Sequence, residues 1–309
     1  MIAQRKTIIE PGYLPNSCQY TVETARGPYL VQIAWPLCWT SERLPQPNAD
    51  EHPVSSFYLV DGNAYFLTAV EISRRLECLN STRSIVVGIG YPNLKAVYDF
   101  RRGPDLTPRS RDGKYEMPLD KHGKPRTDLS FGEAHLFLDF IKREVMQTVE
   151  GELFPSLDLA SNRKGLFGHS YGGLFSLNAL FTQPGLFDFI AAASPSISWS
   201  EYSLVSFQEE EFHREAKVVD PPPVLLLTWG SNAEELEQRK GESDASFTRR
   251  RMGAEEPECG NDARAMAARL AGDCTIKAVL TADFPGWGHG GAAVVGLQRA
   301  LMHFLLEMD

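Results

Sequence analysis

Cysteine is scarce. Five are spread through 309 residues (Cys18, Cys38, Cys78, Cys259 and Cys274), an odd number with no Cys-x-x-Cys and no histidine pair nearby at metal-ligand spacing. That excludes a disulfide framework or a zinc knuckle and fits reduced thiols in a cytosolic compartment, each read as a packing residue of the core. No apolar run approaches the roughly 18 to 20 residues that a spanning helix needs. The start, Met1-Ile2-Ala3-Gln4-Arg5-Lys6, leads into Thr7 and Glu10 and not into an apolar signal core. The expectation is a soluble, unexported, cytoplasmic protein with no membrane partner. Basic residues are outnumbered, 31 against 40 acidic ones, for a net charge of -9. A field of that sign repels phosphate backbones, so no nucleic-acid partner is expected. Also missing are Gly-x-x-x-x-Gly-Lys-Ser/Thr, a helix-opening Gly-x-Gly-x-x-Gly, and His-Glu-x-x-His. Neither a nucleotide cofactor nor a metal ligand set is therefore expected. Repeats and coiled-coil heptads are absent as well, which removes support for a purely structural role.

The chain is 43% hydrophobic and 23% charged, enough for one large globular domain. Residues 18 to 35 alternate in a strand-like way around Arg26-Gly27, which predicts an antiparallel hairpin at the start. The runs Phe57-Tyr58-Leu59-Val60 and Ser84 to Ile89 are apolar on both faces and flank a helical stretch at 64 to 79. Such runs predict parallel strands covered on both sides. The alternation continues with helix 132 to 148, strand 165 to 167, helix 172 to 182, strand 189 to 193, strand 224 to 228, helix 261 to 271, strand 275 to 280 and a last helix from about 292 to 306. The fold class is α/β: a doubly wound, mostly parallel sheet behind an antiparallel hairpin, in a single domain spanning 1–309. Two segments interrupt it. Residues 95 to 130 are rich in Pro, Gly and charge and read as a long loop able to cover a site, and 234 to 258 are almost devoid of apolar side chains and read as a partly disordered insertion.

The most specific signal is Gly168-His169-Ser170-Tyr171-Gly172-Gly173, placed between a short strand and an amphipathic helix. Gly-x-Ser-x-Gly in that context is a nucleophile elbow, which marks Ser170 as an acyl-transfer nucleophile. A serine hydroxyl needs a base, and in this arrangement the order along the chain is serine, acid, histidine. His213, His289 and His303 follow Ser170; His289 lies in a glycine-rich loop after the last strand and is the expected base, while His213 and His303 read as surface or packing residues. For the acid, Glu234 comes first and Glu235 second, with Asp262 and Asp283 behind them, since the acid is expected after the strand at 224 to 228. The oxyanion hole is expected from the backbone N–H groups of Tyr171 and Asn63, with Asp61 bracing the turn at Gly62.

Leu59-Val60-Asp61-Gly62, Gly88-Ile89-Gly90-Tyr91, Arg102 with Asp105-Leu106-Thr107-Pro108, the elbow, Ser194-Pro195-Ser196 with Trp199, and Gly288-His289-Gly290 recur together in one known group. This set, in order over roughly residues 18 to 307, resembles the esterase-D-like α/β-hydrolases, and within them the ferric-siderophore esterase branch, as in intracellular fungal enzymes acting on ester-linked hydroxamate siderophores of the triacetylfusarinine type. The resemblance implies a small-molecule ester substrate, a serine hydrolase that opens a siderophore's ester bonds so that iron is released, and Arg102 lining the substrate mouth. The chain departs from the family in its charged insertion, beside the expected acid. Some members of the group work with a serine and histidine alone. The alternative activity is hydrolysis or acyl transfer on a lactone or thioester of a secondary-metabolite pathway.

Overall fold

The computed structural model describes residues 14–45, 53–92, 95–115, 117, 124–215, 218–231, 238, 243–244 and 259–308. The hairpin expected at the start is β1 (Ser17–Val22) against β2 (Tyr29–Ala34), closed by the Gly27 N–H donating to the Thr24 carbonyl at 2.9 Å. Six further strands follow: β3 (Val54–Val60), β4 (Arg83–Gly90), β5 (Lys164–His169), β6 (Phe189–Ala193), β7 (Val224–Gly230) and β8 (Ala278–Phe284). They form one sheet in the order β1-β2-β4-β3-β5-β6-β7-β8. β2 is antiparallel to β1 and β4, and every other neighbouring pair is parallel.

The central strands are apolar on both faces because helices cover both. On one side Phe57, Leu59, Phe167 and Leu226 pack under α1 (Gly62–Asn80) and the C-terminal helix (His289–Leu306), with Val70, Leu76, Leu297 and Phe304 between them. On the other, Tyr58, Leu166, Ile190 and Leu225 meet a second helix layer through Phe137, Phe175 and Leu177. Alternate residues of each strand thus feed opposite cores. Each fully buried Leu or Phe contributes about 1.5–3 kcal/mol.

In chain order the remaining helices are α2 (Arg102–Leu106), α3 (Ala134–Phe140, continued by wider turns at Ile141–Val145 and Thr148–Leu153), α4 (Tyr171–Thr182), α5 (Trp199–Ser203), α6 (Glu210–Glu215) and α7 (Cys259–Leu270); the C-terminal helix is α8. Several expectations need correction. The strand placed at 275 to 280 is β8 at 278–284: the Asp273 carboxylate takes both the N–H (2.9 Å) and the hydroxyl (2.5 Å) of Thr275, which turns the chain there, and pairing with β7 begins at Ala278. The last helix starts at His289, not near 292, because extended Gly288 (ψ 178°) serves as its cap and its carbonyl accepts the Ala292 N–H at 2.9 Å. The segment 95 to 130, expected as loop, contains α2. Cys18 and Cys38 are half-buried and pack against the core, whereas Cys78 and Cys274 are exposed and are not core residues. Of the charged insertion at 234 to 258, all but 238 and 243–244 lies outside the described residues.

Candidate active site

β5 delivers its last residue, His169, to a reversal in which Ser170 has φ 59° and ψ -116°, and α4 starts at the next residue. A positive φ at serine costs on the order of 1–3 kcal/mol and persists only where its surroundings enforce it. The Ser170 N–H donates to the Ala193 carbonyl on β6 (3.0 Å) and the Ser170 carbonyl accepts from Leu174 (2.9 Å). Gly168 is required by close approach: a Cβ there would overlap the Gly172 carbonyl. The Ser170 Oγ stands 3.3 Å from the Ser196 Oγ, in the turn after β6.

β3 ends beside it. Asp61 is left-handed (φ 53°) and buried, and its carboxylate receives both Arg102 Nε (3.0 Å) and Nη2 (2.9 Å). Arg102 therefore anchors α2 to the end of β3, and its guanidinium is packed between the rings of Tyr98 (4.9 Å) and Tyr171 (5.2 Å). The Asp61 carboxylate holds the Arg102 guanidinium above the usual arginine range despite burial, which alone would lower it. Asn63, in the first turn of α1, uses its side-chain amide on both backbone groups of Tyr91, at 2.7 and 2.8 Å.

His289 opens α8, half-buried, with its ring 4.6 Å from that of His169. The turn that carries it rests on the end of β7: a Cβ on Gly230 would overlap the Trp287 carbonyl. Burial first, and the nearby Arg102 charge second, push the His289 imidazole below its ordinary 6.5, so the neutral, proton-accepting form is favoured. His169 is depressed further, to about 3, by burial and by His289.

Ser170, Tyr171, Asn63, Arg102 and His289 thus stand at the C-terminal ends of β3 and β5 and at the start of α8, where parallel sheets build their sites. Glu234 and Glu235 lie outside the described residues. Asp283 is engaged by Arg264 at 2.8 Å and Asp262 by the Tyr202 hydroxyl at 3.2 Å. His213 pairs with Asp273 (2.9 Å), and His303 pairs with Glu307 (2.6 Å) and packs on Phe189, the surface and packing roles expected of them. Sequence reasoning missed Tyr65, Tyr98 and the side chain of His169. Tyr65 lies one turn into an amphipathic helix and reads as core, and His169 reads only as the variable position of the elbow.

The strand order, the elbow and the histidine at the start of the last helix define an α/β-hydrolase. Residues 41–265 match the Esterase family. The chain is 34% identical over 297 residues to a siderophore enterobactin esterase of Emericella nidulans (95% of each chain), and 35% identical over 300 residues to a siderophore triacetylfusarinine C esterase of Aspergillus fumigatus (95% and 94%). A solved siderophore hydrolase, EstA from Aspergillus nidulans, superposes with a TM-score of 0.84 over 98% of both chains at 33% identity. The protein belongs to the esterase family, in its siderophore-esterase branch, and is a carboxylic ester hydrolase. Among the described residues, no helix is long and apolar enough to cross a membrane.

Proposed function

We propose that this protein is a cytoplasmic serine esterase that opens the ester bonds of a ferric siderophore of hydroxamate type. The observation that carries the reading is the strained Ser170 reversal at the head of α4, with a half-buried histidine opening α8 on the other face of the sheet. In the proposed reaction His289 takes the Ser170 Oγ proton as the oxygen adds to the ester carbonyl. The backbone N–H groups of Tyr171 and Asn63, each in the first turn of a helix, face the developing oxyanion with the positive end of a helix dipole behind them. His289 passes the proton to the leaving alkoxide, and water, activated by the same histidine, then hydrolyses the acyl-serine. No cofactor is needed for any step; the iron belongs to the substrate.

Charge pairing near the site supports an uncharged iron complex over a polyanionic catecholate; the relatives divide, one at 35% identity named for triacetylfusarinine C and one at 34% for enterobactin. Three of the five arginines in the 95 to 130 segment face carboxylates: Arg102 faces Asp61, Arg111 faces Glu210 at 3.0 Å, and Arg126 faces Asp128 at 2.6 Å. Arg102 would border the substrate with the packed faces of its neighbours Tyr98 and Tyr171 more than with free charge.

The test is a mass-spectrometric digest of a ferric trihydroxamate cyclic triester and of ferric enterobactin. Ring-opened hydroxamate in excess is expected from the wild type; preference for the catecholate would reverse the substrate assignment. Glu234 remains the proposed partner of the His289 ring, and Glu234→Gln is expected to lower kcat on the order of 10⁴-fold. A loss below about tenfold would leave Ser170 and His289 working as a pair.

A further inference from the structure

His169, between Gly168 and Ser170, is 5% exposed and makes two side-chain hydrogen bonds. Its Nε2 lies 2.9 Å from the main-chain oxygen of His289, and its Nδ1 lies 2.9 Å from the Tyr65 hydroxyl, which is in turn 2.6 Å from the Tyr98 hydroxyl. A carbonyl oxygen only accepts, so the hydrogen must sit on Nε2. The ring is neutral, since burial and the adjoining His289 hold it down to about 3. Nδ1 is therefore a bare acceptor, Tyr65 must donate to it, and the Tyr65 oxygen accepts from Tyr98. One carbonyl sets the direction of the whole chain. Burial pushes the Tyr65 phenol far up, so it keeps the proton it donates. The chain joins four parts of the fold: the 95 to 130 segment, α1, the end of β5 and the start of α8.

We propose that His169 is a positioning residue for ester hydrolysis: its Nε2–H, bonded to the His289 carbonyl, and its ring, packed against the His289 imidazole, hold the base at its working distance from Ser170. The proposal rests on the assignment of Ser170 and His289 above. It adds that the residue preceding the nucleophile fixes the main chain of the base, a task distinct from orienting the ring by an acid. The His289 carbonyl fixes the tautomer, and Tyr65, with Tyr98 behind it, satisfies the bare Nδ1 that this tautomer leaves.

Side-chain length separates this role from simple packing. Glutamine places an N–H donor near the position of the histidine Nε2 and reaches the same carbonyl, whereas asparagine stops near Nδ1 and can answer Tyr65 only. With p-nitrophenyl acetate, His169→Asn is expected to lose at least about tenfold in kcat with KM changed less than about twofold, and His169→Gln to stay within about threefold of wild type. Tyr65→Phe, which removes only the hydroxyl on Nδ1, is expected to lower kcat by at least about threefold with an unchanged thermal midpoint. Equal losses in the Asn and Gln variants, or full kcat in His169→Asn, would overturn the proposal. If His169→Asn does not fold, Tyr65→Phe decides, and unchanged turnover there overturns it. Ser170→Ala and His289→Ala are measured alongside. Turnover surviving in those two would defeat the site assignment itself, while their inactivity together with full kcat in His169→Asn would defeat this proposal alone.

Discussion

Arg102 shows how one side chain acts on both stability and reactivity. Its carboxylate partner Asp61 is 1% exposed at the side chain, so removing the arginine alone strands a buried charge. Arg102→Gln is expected to destabilise the fold by about 3–5 kcal/mol in denaturant unfolding, and adding Asp61→Asn should recover most of that. The same cation lowers the His289 pKa. A base must be unprotonated, so the acid limb of the kcat/KM profile is expected below pH 6.5, the ordinary histidine value. The sign then follows: in the Arg102→Gln, Asp61→Asn double variant the cation is gone, the His289 pKa rises, and the limb moves toward higher pH. A limb that stays put or moves down would mean that the titrating group is not a base beside Arg102. The family resemblance implies a substrate-mouth role for Arg102; its pairing with Asp61, 41 positions earlier, is a tertiary contact that no local pattern encodes.

Among the elements, those with a strong local cause were legible and those ruled by long-range contact were not. The elbow is readable because a reversal this tight demands glycine at 168, with a second small residue at 172 set closely against Val60, and the central strands because two helix layers leave no polar face. The start of α8 was missed by three residues, since helix propensity is poor through Gly288-His289-Gly290-Gly291 and the helix begins there through the Gly288 cap. The chain from Tyr98 to His289 was invisible for a different reason: its links span 104 and 120 positions. Seating of the turn before α8 gives an element-scale test. Gly230→Ala puts a methyl group against the Trp287 carbonyl and must displace the turn that carries His289. Since a shift of about 1 Å at a reacting group costs on the order of 100-fold, kcat should fall by that order. Unchanged kcat in a folded Gly230→Ala protein would show that the turn does not place the base.

For the whole molecule, the sheet gathers side chains from residues 61 to 289 at the C-terminal ends of its central strands, and the family match over residues 41–265 takes in β3 to β7 but stops short of His289 and α8. Net charge and missing motifs set the expectation of no nucleic-acid or nucleotide partner, and the motif set pointed to the esterase class that the family match shows. The substrate was less legible, because charge counts along the 95 to 130 segment do not reveal which arginines are already paired. Turnover as proposed depends on Ser170 as the nucleophile and His289 as its base. The most direct measurement is a peptide map after reaction with a fluorophosphonate, on wild type, Ser170→Ala and His289→Ala. One phosphonyl adduct on the Ser170 peptide is expected in the wild type, none in Ser170→Ala, and labelling slowed by at least about 100-fold in His289→Ala. An adduct on another residue, or a Ser170→Ala protein that still hydrolyses the siderophore ester at the wild-type rate, would show that Ser170 is not the nucleophile.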